Sequence, residues 1–98
     1  MIIEHALLTS KEELVEEFVQ TINEAFPILS SSEGHLSHKL LRNKEKPTHF
    51  ILVVHWNSLH DHLDSFVGSA KFKKWDSLLR RFFDSDPEVL HYTELRYD

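Results

Sequence analysis

The chain has 98 residues, no cysteine, and 11 Lys and Arg against 16 Asp and Glu, for a formal charge of -5. That length suits a single domain spanning residues 1–98 with a modest core, and the lack of cysteine excludes disulfides, thiolate nucleophiles and Cys-containing metal or iron–sulfur sites, in keeping with a reducing compartment. The acidic balance repels nucleic acid, and two glycines, Gly34 and Gly68, cannot write a P-loop or a dinucleotide-binding turn.

The amino-terminal run has no basic region followed by a long apolar stretch. The longest wholly apolar run, Phe50 to Val54, is too short to cross a bilayer, so the expectation is a cytoplasmic protein with no membrane partner. Ile2 to Leu8 is short and apolar, interrupted by Glu4 and His5, and reads as a first strand. Ser10 stands three residues before Glu13 in a capping-box pattern. Leu14, Val15, Phe18, Val19, Ile22 and Phe26 then recur at three- and four-residue steps, which predicts an amphipathic helix. Pro27 disfavours helical geometry at Phe26, and Ser30, Ser31 and Ser32 give a polar connection.

Gly34 to Arg42 and Thr48 to Trp56 flank the charged turn Asn43 to Pro47, a hairpin pattern. Ser58 precedes a second helical stripe of Leu59, His62, Leu63, Phe66 and Val67. It breaks near Gly68-Ser69 and resumes with Phe72, Trp75, Leu78, Leu79 and Phe82, so two helical pieces with a bend are predicted. Asp84 to Pro87 is a turn, and Val89 to Tyr97 carries β-formers as the last strand. The order β-α-β-β-α-β folds most simply as an α+β, ferredoxin-like antiparallel sheet with both helices on one face. Phe50, Leu52 and Val54 point to one side of the third strand while Ile51 and Val53 point to the other. A sheet apolar on both sides and covered on one predicts a homodimer joined through its sheet faces.

Glu33-Gly34-His35-Leu36-Ser37, the third strand ending Trp56-Asn57-Ser58, and Ser69-Ala70-Lys71-Phe72 together resemble the antibiotic biosynthesis monooxygenase family of dimeric α/β barrels. The resemblance implies a homodimer with a pocket in each subunit between sheet and helices, and cofactor-independent oxygenation of a phenolic or quinol-like small molecule. In that reading the electron-rich substrate itself reduces oxygen, and neither metal nor flavin is needed. Two departures stand out: members often carry His where this chain has Phe66, and haem-degrading relatives place an axial His where it has Asp76. Those relatives also use an Asn on the first strand, which this strand lacks, so haem degradation by that route is not implied. The competing reading, favoured by Phe66, is a non-catalytic barrel that binds a small ligand or a partner. A third is an oxygen-independent, proton-transferring isomerase.

Eight histidines supply groups that exchange protons near neutral pH. His55, His91 and His5 fall on strands that lie side by side in the ferredoxin-like order. They are the candidate general bases, in that order, against an ordinary role as strand histidines. Trp56, Phe66 and Trp75 are the candidate pocket wall, against plain core packing. No metal site is expected: His60 and His62 diverge on a helix, His35 and His38 lie three apart on a strand and should face opposite ways, and only His5, His55 and His91 form a residual candidate set. Lys71, Lys73, Lys74, Arg80 and Arg81 read as a solvated helix face.

Overall fold

The computed structural model describes residues 1–96. Strands β1 (Ile2–Thr9), β2 (His35–Arg42), β3 (His49–Trp56) and β4 (Glu88–Tyr92) form one sheet in the order β2-β3-β1-β4, each neighbouring pair antiparallel. Helices α1 (Val15–Ser30) and α2 (Ala70–Leu79) supply the second layer, giving the ferredoxin-like α+β arrangement. The last predicted strand is shorter than its β-formers suggest, ending at Tyr92; Tyr97 lies outside the described residues. Among the described residues no helix is long and apolar enough to cross a membrane.

The core lies between the layers. Ala6 and Leu8 of β1 and Phe50, Leu52, Val54 and Trp56 of β3 point at the helices, where they meet Phe18, Ile22 and Leu29 of α1 and Leu79 of α2. The opposite face carries Ile3 and Leu7 of β1, Ile51 and Val53 of β3, Leu41 of β2 and Leu90 and Tyr92 of β4, as the pairing register and strand alternation require. Leu7, Leu41, Leu90 and Tyr92 are each at least 40% exposed.

Three local expectations fail for identifiable reasons. Ser10 does not cap α1: its backbone N–H donates to the Thr48 carbonyl and its hydroxyl to the Lys11 carbonyl, because it is held in an extension of the sheet that bridges to Phe83. A 3-10 turn, Glu12–Leu14, starts the helical region instead. Nor does Pro27 end α1, which runs one turn further. That turn buries Leu29 almost completely, enough to offset one missing backbone hydrogen bond. The serines expected to form a loose link close the helix, with the Ser31 and Ser32 hydroxyls donating to the Ile28 carbonyl.

The predicted bend between the two later helical pieces is real. Ser58 accepts the Asp61 N–H on its side-chain oxygen and opens a π-helical turn, Asp61–Phe66. The Ser69 hydroxyl accepts the Phe72 N–H and starts α2. The wide turn rotates the expected apolar stripe. His62 and Phe66 are buried, together with Asp61, whereas Leu59, Leu63 and Val67 remain partly in solvent. Gly34, the residue before β2, has φ +80°, and a β-carbon there would collide with the Asp61 side chain. Glycine is required at that position on both counts.

Candidate active site

A cavity of about 450 Å3 lies between the sheet and the second helical region. Its walls are mostly apolar, including Leu52, Phe66, Phe72, Trp75 and Leu79, and two polar side chains line it from the interior, Glu4 and His62. Asp76 and Arg80 stand at its rim, paired through two hydrogen bonds of 3.0 and 3.1 Å.

Glu4 reaches the cavity because strand alternation puts it on the same side as Ala6 and Leu8. Its Oε1 accepts a hydrogen bond from Trp56 Nε1 at 2.9 Å and lies 3.2 Å from His62 Nε2. His62 arrives from the π-helical turn and stacks on the Trp56 indole, with ring centroids 5.1 Å apart. Its other nitrogen, Nδ1, is 2.8 Å from Nε2 of His91 on β4, which is the residue opposite Glu4 in the β1–β4 pairing. Four residues from three strands and one helical turn thus form one connected polar cluster. Glu4 Oε2 makes no hydrogen bond in it. Among the described residues no fully buried side-chain polar atom lacks a partner, so Oε2 opens to free space, and Glu4 lines the cavity.

The electrostatics follow from burial. Removal from water disfavours the carboxylate and pushes the Glu4 carboxyl up to about 7, against a smaller opposing effect of the Trp56 N–H. The same burial, helped by neighbouring His91, pushes His62 down to about 4. The two shifts run against formation of an ion pair, so the 3.2 Å contact is a close approach of the carboxyl to an uncharged imidazole, and of these two groups Glu4 is the one that changes charge near neutrality. A carboxyl with one oxygen fixed by the Trp56 N–H, the other free, and a protonation midpoint near 7 can accept or donate a proton at that free oxygen.

The histidines singled out from the sequence separate. His91 joins the cluster. His5 and His55 lie on the uncovered face, His5 beside Tyr92 with ring centroids 4.9 Å apart and His55 with Nδ1 3.2 Å from the Ser37 hydroxyl. The three therefore do not converge. Phe66 and Trp75 line the cavity, and Trp56 backs it through Glu4. Sequence reasoning passed over Glu4 and His62, although each carried a signal: a carboxylate breaking an apolar strand, and a histidine inside an apolar helical stripe.

His35 and His38 correct another expectation. A bulge between His35 and Ser37 turns both rings to the helix side, with Nε2 of one 2.8 Å from Nδ1 of the other and burial lowering both pKa values. His60 and His62 diverge as expected, His60 meeting Asp64 on the surface. No group of three or more potential metal ligands occurs among the described residues.

Comparison with known proteins places this geometry. The family model for antibiotic biosynthesis monooxygenases matches residues 1–77. The chain belongs to that family. An uncharacterised Bacillus subtilis protein, YczJ, is 36% identical over 95 residues, covering 97% of this chain and 100% of its own. A candidate antibiotic biosynthesis monooxygenase from Bordetella bronchiseptica superposes with a TM-score of 0.92 at 27% identity, covering 97% of each chain. SnoaB of Streptomyces nogalater, a cofactor-independent oxygenase, superposes with a TM-score of 0.82 at 16% identity, covering 98% of this chain and 94% of its own; that likeness is one of fold. The chain thus has the fold of a monooxygenase family, and within it Glu4 and His62 occupy the polar corner of the cavity.

Proposed function

We propose that this family member is a monooxygenase for a small phenolic or quinol-like molecule, acting as a homodimer without metal or flavin. The observation that carries this reading is the free Glu4 Oε2 in a mostly apolar cavity of about 450 Å3, a volume suited to a small aromatic ring system. The substrate hydroxyl donates to Oε2, and Glu4 takes its proton to leave a phenolate. Phe66, Phe72 and Trp75 hold the ring and keep water from it.

The phenolate reduces dioxygen, and the ring carbon bonds to one oxygen atom as a hydroperoxide. Breaking the O–O bond leaves one oxygen as a carbonyl on the substrate. The other departs as water with the ring hydrogen and the proton held by Glu4. Substrate and dioxygen thus give a quinone and water, with all four electrons supplied by the substrate.

The uncovered sheet face supports the dimer. Leaving Ile3, Leu7, Leu41, Ile51, Leu90 and Tyr92 wet forfeits roughly 25 cal/mol for each Å2 of apolar surface, and the same face of a second copy is a self-complementary cover. The reading is tested by oxygen uptake on a panel of phenols and quinols with chelator-treated, flavin-free protein. Stoichiometric consumption of oxygen and substrate is expected. A ligand-induced rise in melting temperature with no oxygen uptake would instead favour the binding protein, and turnover that persists without oxygen would favour the isomerase.

A further inference from the structure

The polar cluster has two ends. Inside, Glu4 Oε2 opens to the cavity. Outside, His91 sits on β4, an edge strand, and is partly exposed. Its Nδ1 makes no hydrogen bond and, like Oε2, is not sealed off. Between these ends, contacts of 2.8 Å and 3.2 Å join His91 Nε2 to His62 Nδ1 and His62 Nε2 to Glu4 Oε1.

Each imidazole is engaged through nitrogens that can exchange donor and acceptor roles. Two arrangements give the His91–His62 hydrogen bond and the His62–Glu4 contact one hydrogen each. With Glu4 ionised, His91 Nε2–H donates to His62 Nδ1, and His62 carries its hydrogen on Nε2, 3.2 Å from Oε1. With Glu4 protonated on Oε1, that O–H faces His62 Nε2, His62 Nδ1–H donates to His91 Nε2, and His91 carries its hydrogen on Nδ1. The second arrangement holds one proton more than the first. One proton taken up at His91 Nδ1, followed by one hop along the 2.8 Å hydrogen bond and one across the 3.2 Å contact, converts the first into the second. Neither resting arrangement contains an imidazolium, which suits the burial of His62.

We infer that His91 and His62 form a tautomeric proton wire that loads and unloads Glu4 through Oε1 while Oε2 faces the cavity. This inference rests on the reading of Glu4 as the proton-accepting group. It gives His91 and His62 a positioning and relay role: with substrate filling the cavity and shutting out water, the wire still connects Glu4 to solvent and sets whether it acts as base or acid. Titratable groups facing the wire are Glu4 from β1 and His91 from β4, with the Trp56 indole N–H as a fixed donor from β3. Asp76, Arg80 and Asp86 stand round the same cavity, the first two paired with each other.

The test is nitrogen-15 NMR of the histidine rings across the pH range in which Glu4 titrates. Expected are Nε2–H forms of both His62 and His91 when Glu4 is ionised, changing together to Nδ1–H forms as it becomes protonated. In a His91→Phe variant that keeps the wild-type fold by circular dichroism, His62 is expected to stay in its Nε2–H form throughout. A fixed His62 tautomer in the wild-type protein, a His62 imidazolium in that range, or an undiminished switch in His91→Phe would overturn the wire. Its failure is distinguishable from failure of the functional reading. A Glu4→Gln variant that loses turnover beside a wild type with a fixed His62 tautomer retains the base and removes the wire. A clean tautomer switch with no oxygen uptake on any phenol retains the wire and removes the monooxygenase.

Discussion

The two faces of the sheet are built from the same strands, and alternate residues meet opposite fates. On the covered face, Glu4, His91 and Trp56 are drawn with His62 into one polar cluster beneath the second helical region. On the other, His5 and His55 stand among Ile3, Leu7, Ile51 and Leu90 with no layer above them. The contrast teaches that chemistry here follows burial rather than residue type. The imidazole packed under the helix has its proton affinity strongly lowered, and a buried glutamate is pushed up to about 7.

The sharpest way to break this contrast is to mutate across it. Glu4→Gln keeps the shape and an acceptor for Trp56 but removes the titrating group, and turnover of an accepted phenol is expected to fall about a hundredfold or more. His5→Ala and His55→Ala are expected to change the rate constant of the chemical step by less than about twofold, since neither ring reaches the cavity; a general base contributes far more than that. A large loss in His55→Ala beside an active Glu4→Gln would invert the assignment.

Stability against pH sharpens the same comparison. Glu4 binds its proton more tightly in the folded chain, so it costs folding nothing below its unfolded value of 4.5, and the full penalty is reached above about 7. His62 binds its proton less tightly when folded, so its penalty sets in as pH falls below 6.5 and is complete below about 4. Each amounts to about 3 kcal/mol. Between these limits the two run in opposite directions and nearly cancel. With only His62 left to titrate, Glu4→Gln is expected to lose stability as pH falls from 6.5 towards 4, and with only Glu4 left His62→Gln is expected to lose it as pH rises from 4.5 towards 7. Urea unfolding across pH reads both slopes, and parallel slopes in the two variants would contradict the assigned shifts.

Most of the architecture was legible because periodicity reports burial. The stripe on α1, the alternating third strand and the break at Gly68-Ser69 each encode a face or a stop that the fold uses. What sequence reasoning missed lies where one extra residue changes a face. The bulge after His35 turns His35 and His38 to one side, and the π-helical turn at Asp61–Phe66 brings Asp61 inward while leaving Leu59, Leu63 and Val67 of the expected stripe partly in solvent. Neither insertion has a composition signal. The choice among strand histidines failed to converge for a related reason, since adjacency of strands leaves the pointing of each side chain open by one residue. Glu4 was visible as an oddity in an apolar strand, but its chemical meaning needed Trp56 and His62, which arrive from distant parts of the chain.

The smallest expected loss of free energy concerns the uncovered face. Leu7→Lys places a charge where a second copy is proposed to pack, and the dimer dissociation constant is expected to rise at least about tenfold, corresponding to about 1.4 kcal/mol. Sedimentation measures it, and an unchanged monomer at all concentrations in the wild-type protein would remove the dimer.

The most direct test of Glu4 as the acceptor of a substrate proton is an anaerobic difference spectrum of a phenol bound in the cavity, taken at a pH where the free phenol is un-ionised. A phenolate band is expected with the wild-type protein and is expected to vanish with Glu4→Gln. A bound phenol that stays neutral in the wild type, or a phenolate band that survives Glu4→Gln, would contradict it.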